Sequence, residues 1–184
     1  MEHGVTELIF GVDLVEAMIR QGNGKRPSGE GVDVGALKAL EPSGSAIECR
    51  LYAEDATNSF LPAPGVLGEV RFPTAAEVPG VRVDTWVISG TEITASFDPL
   101  IAKLMVWGET RPIAVTRMQA ALSKTTLKGS ISNLDYCAQI CAFDAFVRGA
   151  YDLGILSRVG MLAPKGIKVV DAGFYSSLQV QECS

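Results

Sequence analysis

The chain carries a single histidine, His3, among its 184 residues, and that scarcity sets the first limits. A hydrolytic triad would have to take its imidazole from the extreme N-terminus, and no G-x-S-x-G elbow accompanies it. There is no phosphate loop of the G-x-x-x-x-G-K-[ST] type, because Gly22-Asn23-Gly24-Lys25-Arg26 fails that spacing. No apolar run approaches the roughly 20 residues that cross a bilayer. Met1 to Phe10 lack the basic and apolar regions of a secretory signal, so no membrane association or export is expected. Basic residues are not clustered, and the net charge is −5. A nucleic-acid partner is therefore disfavoured, since Lys and Arg must be gathered to displace counterions from phosphates. Lys25 and Arg26 form an isolated pair in a Gly-rich stretch and read as a solvated loop.

The four cysteines, Cys49, Cys137, Cys141 and Cys183, form neither a CxxC pair nor a disulfide framework. Cys137 and Cys141 would share one helix face, which suits either a metal or a buried apolar surface. With one histidine available, zinc would need mostly thiolate ligands, and the spacing does not supply them. Small buried residues in a reduced compartment, and so a cytoplasmic location, is the reading adopted. No metal ligand is assigned.

What is present is the material of an ordinary globular lobe. Hydrophobic residues make up 47% and charged residues 20%. A chain of this length buries about 70% of its unfolded surface, enough for a core without staples. Val12, Val15, Met18 and Ile19 recur at helical spacing through Arg20. Gly22 to Ser45 holds six glycines and two prolines and reads as a long loop, with a short helical turn at Val34 to Leu40. Strands are expected over Ala46–Glu54, Val66–Phe72 and Val81–Val87. Leu100 to Trp107 is mostly apolar around Lys103 and reads as a central strand covered on both sides. Thr110 caps a helix with Pro112 in its first turn and an apolar face of Ile113, Ala114, Met118, Ala121 and Leu122. Ser132-Asn133 caps a second helix from Leu134 to about Phe143. Strands and helices mix without a βαβ rhythm, so the fold class is α+β.

Two segments concentrate polar groups. Glu2 to Glu7 puts two carboxylates and the histidine into six residues. Period two sends Glu48, Arg50 and Tyr52 to one face of the first strand and Ile47, Cys49 and Leu51 to the other. On residue type alone the charged face reads as a solvated outer face with a cross-strand ion pair.

Several stretches occur in the order found in one family: Glu2-His3-x-Val5-Thr6-Glu7 with Gly11 to Val15, Ala46 to Arg50 with Ala53-Glu54-Asp55, and Phe60-Leu61-Pro62-x-Pro64-Gly65. Asp98 to Leu104, Arg117-Met118 with Ala120 and Leu122, and Ser132-Asn133 continue the series. Together they resemble the C-terminal part of the biotin carboxylase domain of biotin-dependent carboxylases. Arg82 to Val87, Ser132 to Tyr136 and Ile167 to Gln179 are most similar to urea carboxylase, the biotin-dependent part of urea amidolyase.

The resemblance implies a C-terminal-type lobe with a mixed or antiparallel sheet and flanking helices. Its segments would be a remnant of the ATP-grasp end and connecting helix (1–20), a loop (21–45) and the lobe (46–158). A linker and a shortened start of a carboxyltransferase-like domain (159–184) would follow. It further implies chemistry in which ATP, Mg2+ and bicarbonate yield carboxyphosphate and biotin is then carboxylated. Glu2 would deprotonate bicarbonate, and Arg50 would hold bicarbonate and the enolate-like oxygen of biotin. The Met1 backbone would contact bicarbonate, and Leu153 would line the adenine pocket. The family usually has Pro at position 4, His at 45 and Tyr at 97, where this chain has Gly4, Ser45 and Phe97.

The nucleotide- and metal-binding parts lie upstream in the family, and no Met-Lys-Met biotin acceptor is present. The expectation is thus a fragment inactive alone, holding no ATP, Mg2+ or biotin by itself. Its partners would be bicarbonate, an ATP-grasp domain, a biotin carrier, carboxyltransferase domains and a second copy in a homodimer. Two alternatives stay open: a non-catalytic regulatory lobe pairing with a full-length carboxylase, and the same lobe from an acyl-CoA or pyruvate carboxylase.

Overall fold

The computed structural model describes residues 3–23, 34–160 and 181–183. In chain order these form α1 (His3–Phe10), α2 (Leu14–Gly22), α3 (Val34–Lys38), β1 (Ser45–Tyr52), β2 (Glu54–Asp55), β3 (Leu61–Pro62), β4 (Gly65–Val66), β5 (Glu69–Arg71) and β6 (Val81–Thr85). Then come β7 (Glu92–Ile93), β8 (Leu100–Gly108), α4 (Arg111–Lys124), β9 (Thr126–Lys128), α5 (Leu134–Ala142), α6 (Asp144–Val147), α7 (Ile155–Gly160) and β10 (Gln181–Cys183). The α+β expectation holds.

The main sheet has the order β10-β1-β8-β6 with antiparallel pairing throughout. The central position of β8 explains its mostly apolar run, interrupted at Lys103, since a strand covered on both faces has little solvent side to make polar. One face carries Ile47, Cys49, Leu51, Leu104 and Val106. They pack with Ala114, Val115, Met118, Ala121 and Leu122 of α4 and with Tyr136, Cys137, Ile140 and Cys141 of α5. The apolar stripe read on α4 meets the sheet at Ala114, Met118, Ala121 and Leu122, but Ile113 is exposed and Val115, absent from that reading, is buried in its stead. The run expected as one strand over 66–72 is instead broken between β4 and β5, which pair with β7 and β9 respectively.

The charged face of β1 is not the solvated face expected from residue type. Glu48 is fully buried and Tyr52 is only 4% exposed. Helix α1 covers this side: Val5 and Ile9 form a small core with Ala46, flanked by Trp107. Alternation sorts side chains to two faces but cannot tell what covers either one.

Gly4 permits that cover. A Cβ placed on it would lie 2.0 Å from Met105 Sδ and 3.1 Å from Glu48 Oε2. The buried Met105 thus fills the volume that a larger residue at position 4 would need. Gly4→Ala is expected to cost about 1–3 kcal/mol through overpacking. Adding Met105→Val should recover part of that loss, a coupling measurable in a double-mutant cycle of urea unfolding. A Gly4→Ala midpoint equal to the parent's would show that the close approach is not real.

Helix α2 begins at Leu14, two residues after Val12 where the helical period starts, with the Asp13 side chain accepting from Glu16 N at 2.7 Å as its N-cap. Its apolar residues Val15, Met18 and Ile19 are nevertheless exposed. Among the described residues no helix is long and apolar enough to cross a membrane. The expected loop over 21–45 is described only at its ends, where α3 matches the helical turn read at Val34 to Leu40.

Candidate functional site

Arg50 sits near the end of β1, beneath the sheet face that α1 covers. Its guanidinium lies 5.2 Å from the centroid of the Tyr52 ring, a cation–π distance. Burial pushes the Tyr52 phenol up; the Arg50 charge opposes this, and the carboxylates of Asp98 and Glu54 add to it. A phenol held neutral can offer an O–H to an acceptor and gives the guanidinium a weakly polar platform rather than a competing anion.

The backbone under Arg50 is fixed from the other side by Asn133. Asn133 occupies the N-cap position of α5, as the sequence suggests, but its side chain makes no cap hydrogen bond. Instead Tyr52 N donates to Asn133 Oδ1 at 2.9 Å, and Asn133 Nδ2 donates to Arg50 O at 3.1 Å. Asn133 N also donates to Tyr52 O at 3.1 Å. Being fully buried, this amide acts as a clamp between α5 and the β1 segment that carries Arg50.

A charged network ties α1 to β6 at the same face. Arg82 of β6 grips Asp84 with two bonds, Nε to Oδ1 at 2.9 Å and Nη2 to Oδ2 at 2.8 Å. Its third nitrogen, Nη1, reaches the Glu7 carboxylate at 2.6 Å, while Glu7 Oε1 accepts from Leu14 N at 2.7 Å. Glu7 is buried and Arg82 partly so, which keeps the pair from being screened as a surface ion pair would be. The bonds to Asp84 and Glu7 hold the Arg82 proton more firmly than usual. His3 lies 3.8 Å from Asp84 Oδ2. The first turn of α1 is thereby seated over the row of the sheet that holds Arg50.

That row runs across three strands. Register pairs Arg50 of β1 with Lys103 of β8, and Lys103 with Asp84 of β6. Sequence reading registered Lys103 only as an interruption in an apolar run. The cross-strand register that makes it Arg50's neighbour is not encoded locally.

The other sequence-derived site residues are distributed differently. Glu2 and Met1 lie outside the described residues, as does 161–180 with the urea carboxylase-like stretch Ile167 to Gln179. Leu153 is fully exposed, at 101%, in the turn before α7. The described chain brings nothing over it, so it does not by itself form a pocket. Cys49, Cys137 and Cys141 are free and buried, as expected of core residues. Cys49 Sγ is 3.7 Å from Cys141 Sγ. Hydrogen bonding with Cys137 and Cys141, then burial, pushes the Cys49 thiol well above its ordinary range, which makes it a poor nucleophile. Among the described residues no group of three or more His, Cys, Asp or Glu is placed to hold a metal.

Comparison with known proteins agrees with this arrangement. The family model for the biotin carboxylase C-terminal domain matches residues 48–158. Urea amidolyase of Saccharomyces cerevisiae is 37% identical over 179 residues, which is 97% of this chain but 9% of that protein. The crystal structure of Kluyveromyces lactis urea carboxylase matches at 37% identity with a TM-score of 0.75, covering 85% of this chain and 13% of that one. The biotin carboxylase domain of Hydrogenobacter thermophilus 2-oxoglutarate carboxylase was solved as a dimer with MgADP, ADP and bicarbonate. It matches at 33% identity and TM-score 0.76, covering 86% of this chain and 33% of that one. The chain thus spans about a tenth of the curated relative. The family model spans the strand that carries Arg50, the clamp at Asn133 and the helices packed on them, and the chain belongs to the biotin carboxylase C-terminal domain family.

Proposed function

We propose that this chain is the C-terminal lobe of the ATP-dependent biotin carboxylase unit of a urea carboxylase-type enzyme, and that it does not turn over alone. The supporting observation is Arg50, held at its backbone by Asn133, backed by Tyr52 and set beneath α1. A guanidinium is permanently charged and presents a planar fork, which suits a bicarbonate anion and the oxyanion that develops on the urea oxygen of biotin. Glu2, just before α1 in the sequence, is the base that takes the bicarbonate proton.

Among the described residues no group of three or more His, Cys, Asp or Glu is gathered. Leu153 alone supplies apolar surface rather than a nucleotide pocket. The family resemblance supports assigning ATP and Mg2+ to an ATP-grasp domain and biotin to a carrier domain. Carboxyltransferase domains and a second copy of the lobe complete the partners.

A chimeric urea carboxylase in which this chain supplies the lobe is expected to release ADP in a bicarbonate-dependent, biotin-stimulated manner and to carboxylate urea. The isolated chain should show no such release. Turnover by the pure chain, or a well-folded chimera without bicarbonate dependence, would refute the assignment. Carboxylation of propionyl-CoA or pyruvate by the parent polypeptide, in place of urea, would correct the acceptor only.

A further inference from the structure

We infer that Cys49 and Cys141 form an oxidation site, a dithiol that a peroxide converts to a disulfide joining β1 to α5, and that the Asn133 clamp controls access to it. No step of it uses the carboxylation chemistry.

Asn133, Cys137 and Cys141 follow one another at four-residue spacing, so they share one face of α5. Each of them reaches β1. Asn133 holds the backbone of residues 50 and 52, and Cys137 Sγ lies 4.0 Å from Arg50 O. Cys141 Sγ lies 3.7 Å from Cys49 Sγ. All three cysteines are fully buried. Packing alone asks for small apolar side chains here, and it is indifferent to whether their sulfurs meet.

The two sulfurs of Cys49 and Cys141 touch without being bonded. Closing to the roughly 2.05 Å of a disulfide takes about 1.6 Å of movement. Cys137 and Cys141 are a poorer pair, because residues one helical turn apart have Cβ atoms about 5–6 Å apart and a disulfide needs about 3.5–4.5 Å. Cys137 is also turned towards Arg50 O, which leaves Cys141 as the partner for Cys49.

Access limits the reaction. Its sulfur neighbours and burial keep the Cys49 thiol protonated, so the closed lobe does not react. Helix α5 has nine residues, too few to persist alone, and it leaves β1 as a unit when its contacts fail. The Asn133 bonds oppose that opening.

Opening carries Cys141 into water, while Cys49 stays on β1. The Cys141 thiolate attacks hydrogen peroxide: an S–O bond forms, the O–O bond breaks, and the hydroxide released takes up the thiol proton as water. As α5 returns, Cys49 Sγ attacks the sulfenic sulfur. The S–S bond forms, the S–O bond breaks, and the hydroxyl leaves with the Cys49 proton as a second water. The two sulfurs together lose two electrons, and the peroxide is reduced by them. The product ties positions 92 residues apart and pins α5 to the strand that carries Arg50.

The test exposes the reduced 184-residue chain, with Cys183→Ser so that three thiols remain, to hydrogen peroxide without denaturant. Free thiols are then alkylated and the peptides mapped by mass spectrometry. A single main link, Cys49 to Cys141, is expected, with a higher urea midpoint in the oxidised chain than in the reduced one. Cys137→Ala should keep the link and Cys141→Ala should abolish it. Asn133→Ala should speed its formation about tenfold or more, because modification through rapid opening follows the open population. Where Asn133→Ala does not fold, urea below the unfolding transition replaces it, and the rate must rise with urea.

A main link between any other pair overturns the inference, as does sulfinic acid at single cysteines without a link. So does a parent chain that stays reduced, or that yields the same mixture of links as the urea-unfolded chain. A linking rate unmoved by Asn133→Ala and by urea removes the gate, and the inference with it.

Discussion

Asn133→Ala is expected to destabilise the lobe by about 2–4 kcal/mol, the largest stability loss anticipated for any single polar side chain here. The change removes two hydrogen bonds at once from a fully buried amide. Tyr52 N–H and Arg50 C=O would then be left unpaired beside the core, and each such orphan carries a desolvation cost of about 1–3 kcal/mol. For a lobe of this size the loss corresponds to a fall in Tm of roughly 5–15 °C. Asn133→Asp should also be harmful, since it keeps the acceptor for Tyr52 N but replaces the donor to Arg50 O with a buried charge. Urea unfolding measures the loss, and amide hydrogen exchange locates it. Protection should fall first at Tyr52, at the end of β1, and only later at the centre of β8. An Asn133→Ala protein within about 0.5 kcal/mol of the parent would mean that water replaces the amide and that the clamp is not structural.

The clamp also illustrates which features were legible in the sequence. Asn133 could be placed at the start of α5 because capping residues and a following apolar period are local signals. Its actual role is not local, because its partners lie 81 and 83 residues away. The same division runs through the lobe. Helix α4 and strand β8 were readable because an apolar period and a mostly apolar run report burial directly. The burial of Glu48 was not, because it depends on α1, whose seating over β1 depends in turn on Gly4 and Met105. Arg50 was found only through a resemblance in ordered motifs; on residue type it reads as one more solvated charge. Arg82 was noted for the same reason, yet its grip on Glu7 joins positions 75 residues apart. Leu153 shows the converse limit: a resemblance names it, but the described chain offers nothing to cover it.

Arg50→Gln in the chimeric carboxylase is expected to lower kcat for biotin carboxylation by about 10²–10³-fold, the loss typical of removing one preorganised donor aimed at a developing oxyanion. Glutamine preserves length and some hydrogen bonding, so the loss reports charge and the bidentate fork. Arg50→Lys should recover little, because an ammonium cannot present two parallel donors and would not sit over the Tyr52 ring as the planar guanidinium does. Stability should change far less than in Asn133→Ala, because the Asn133 bonds run to the backbone of residue 50 and survive the substitution. The two proposed duties of Arg50 separate kinetically. If it only steadies the oxyanion on biotin, bicarbonate-dependent ADP release without biotin should persist while carboxybiotin formation collapses. If it also holds bicarbonate, both should fall together and the KM for bicarbonate should rise. On the proposed function the second outcome is the expected one, since a guanidinium fork that binds the oxyanion of biotin suits the bicarbonate anion equally well. An Arg50→Gln chimera that retains the parent kcat with an intact fold would remove Arg50 from the mechanism and leave the row of charges on β1, β8 and β6 as a structural feature alone.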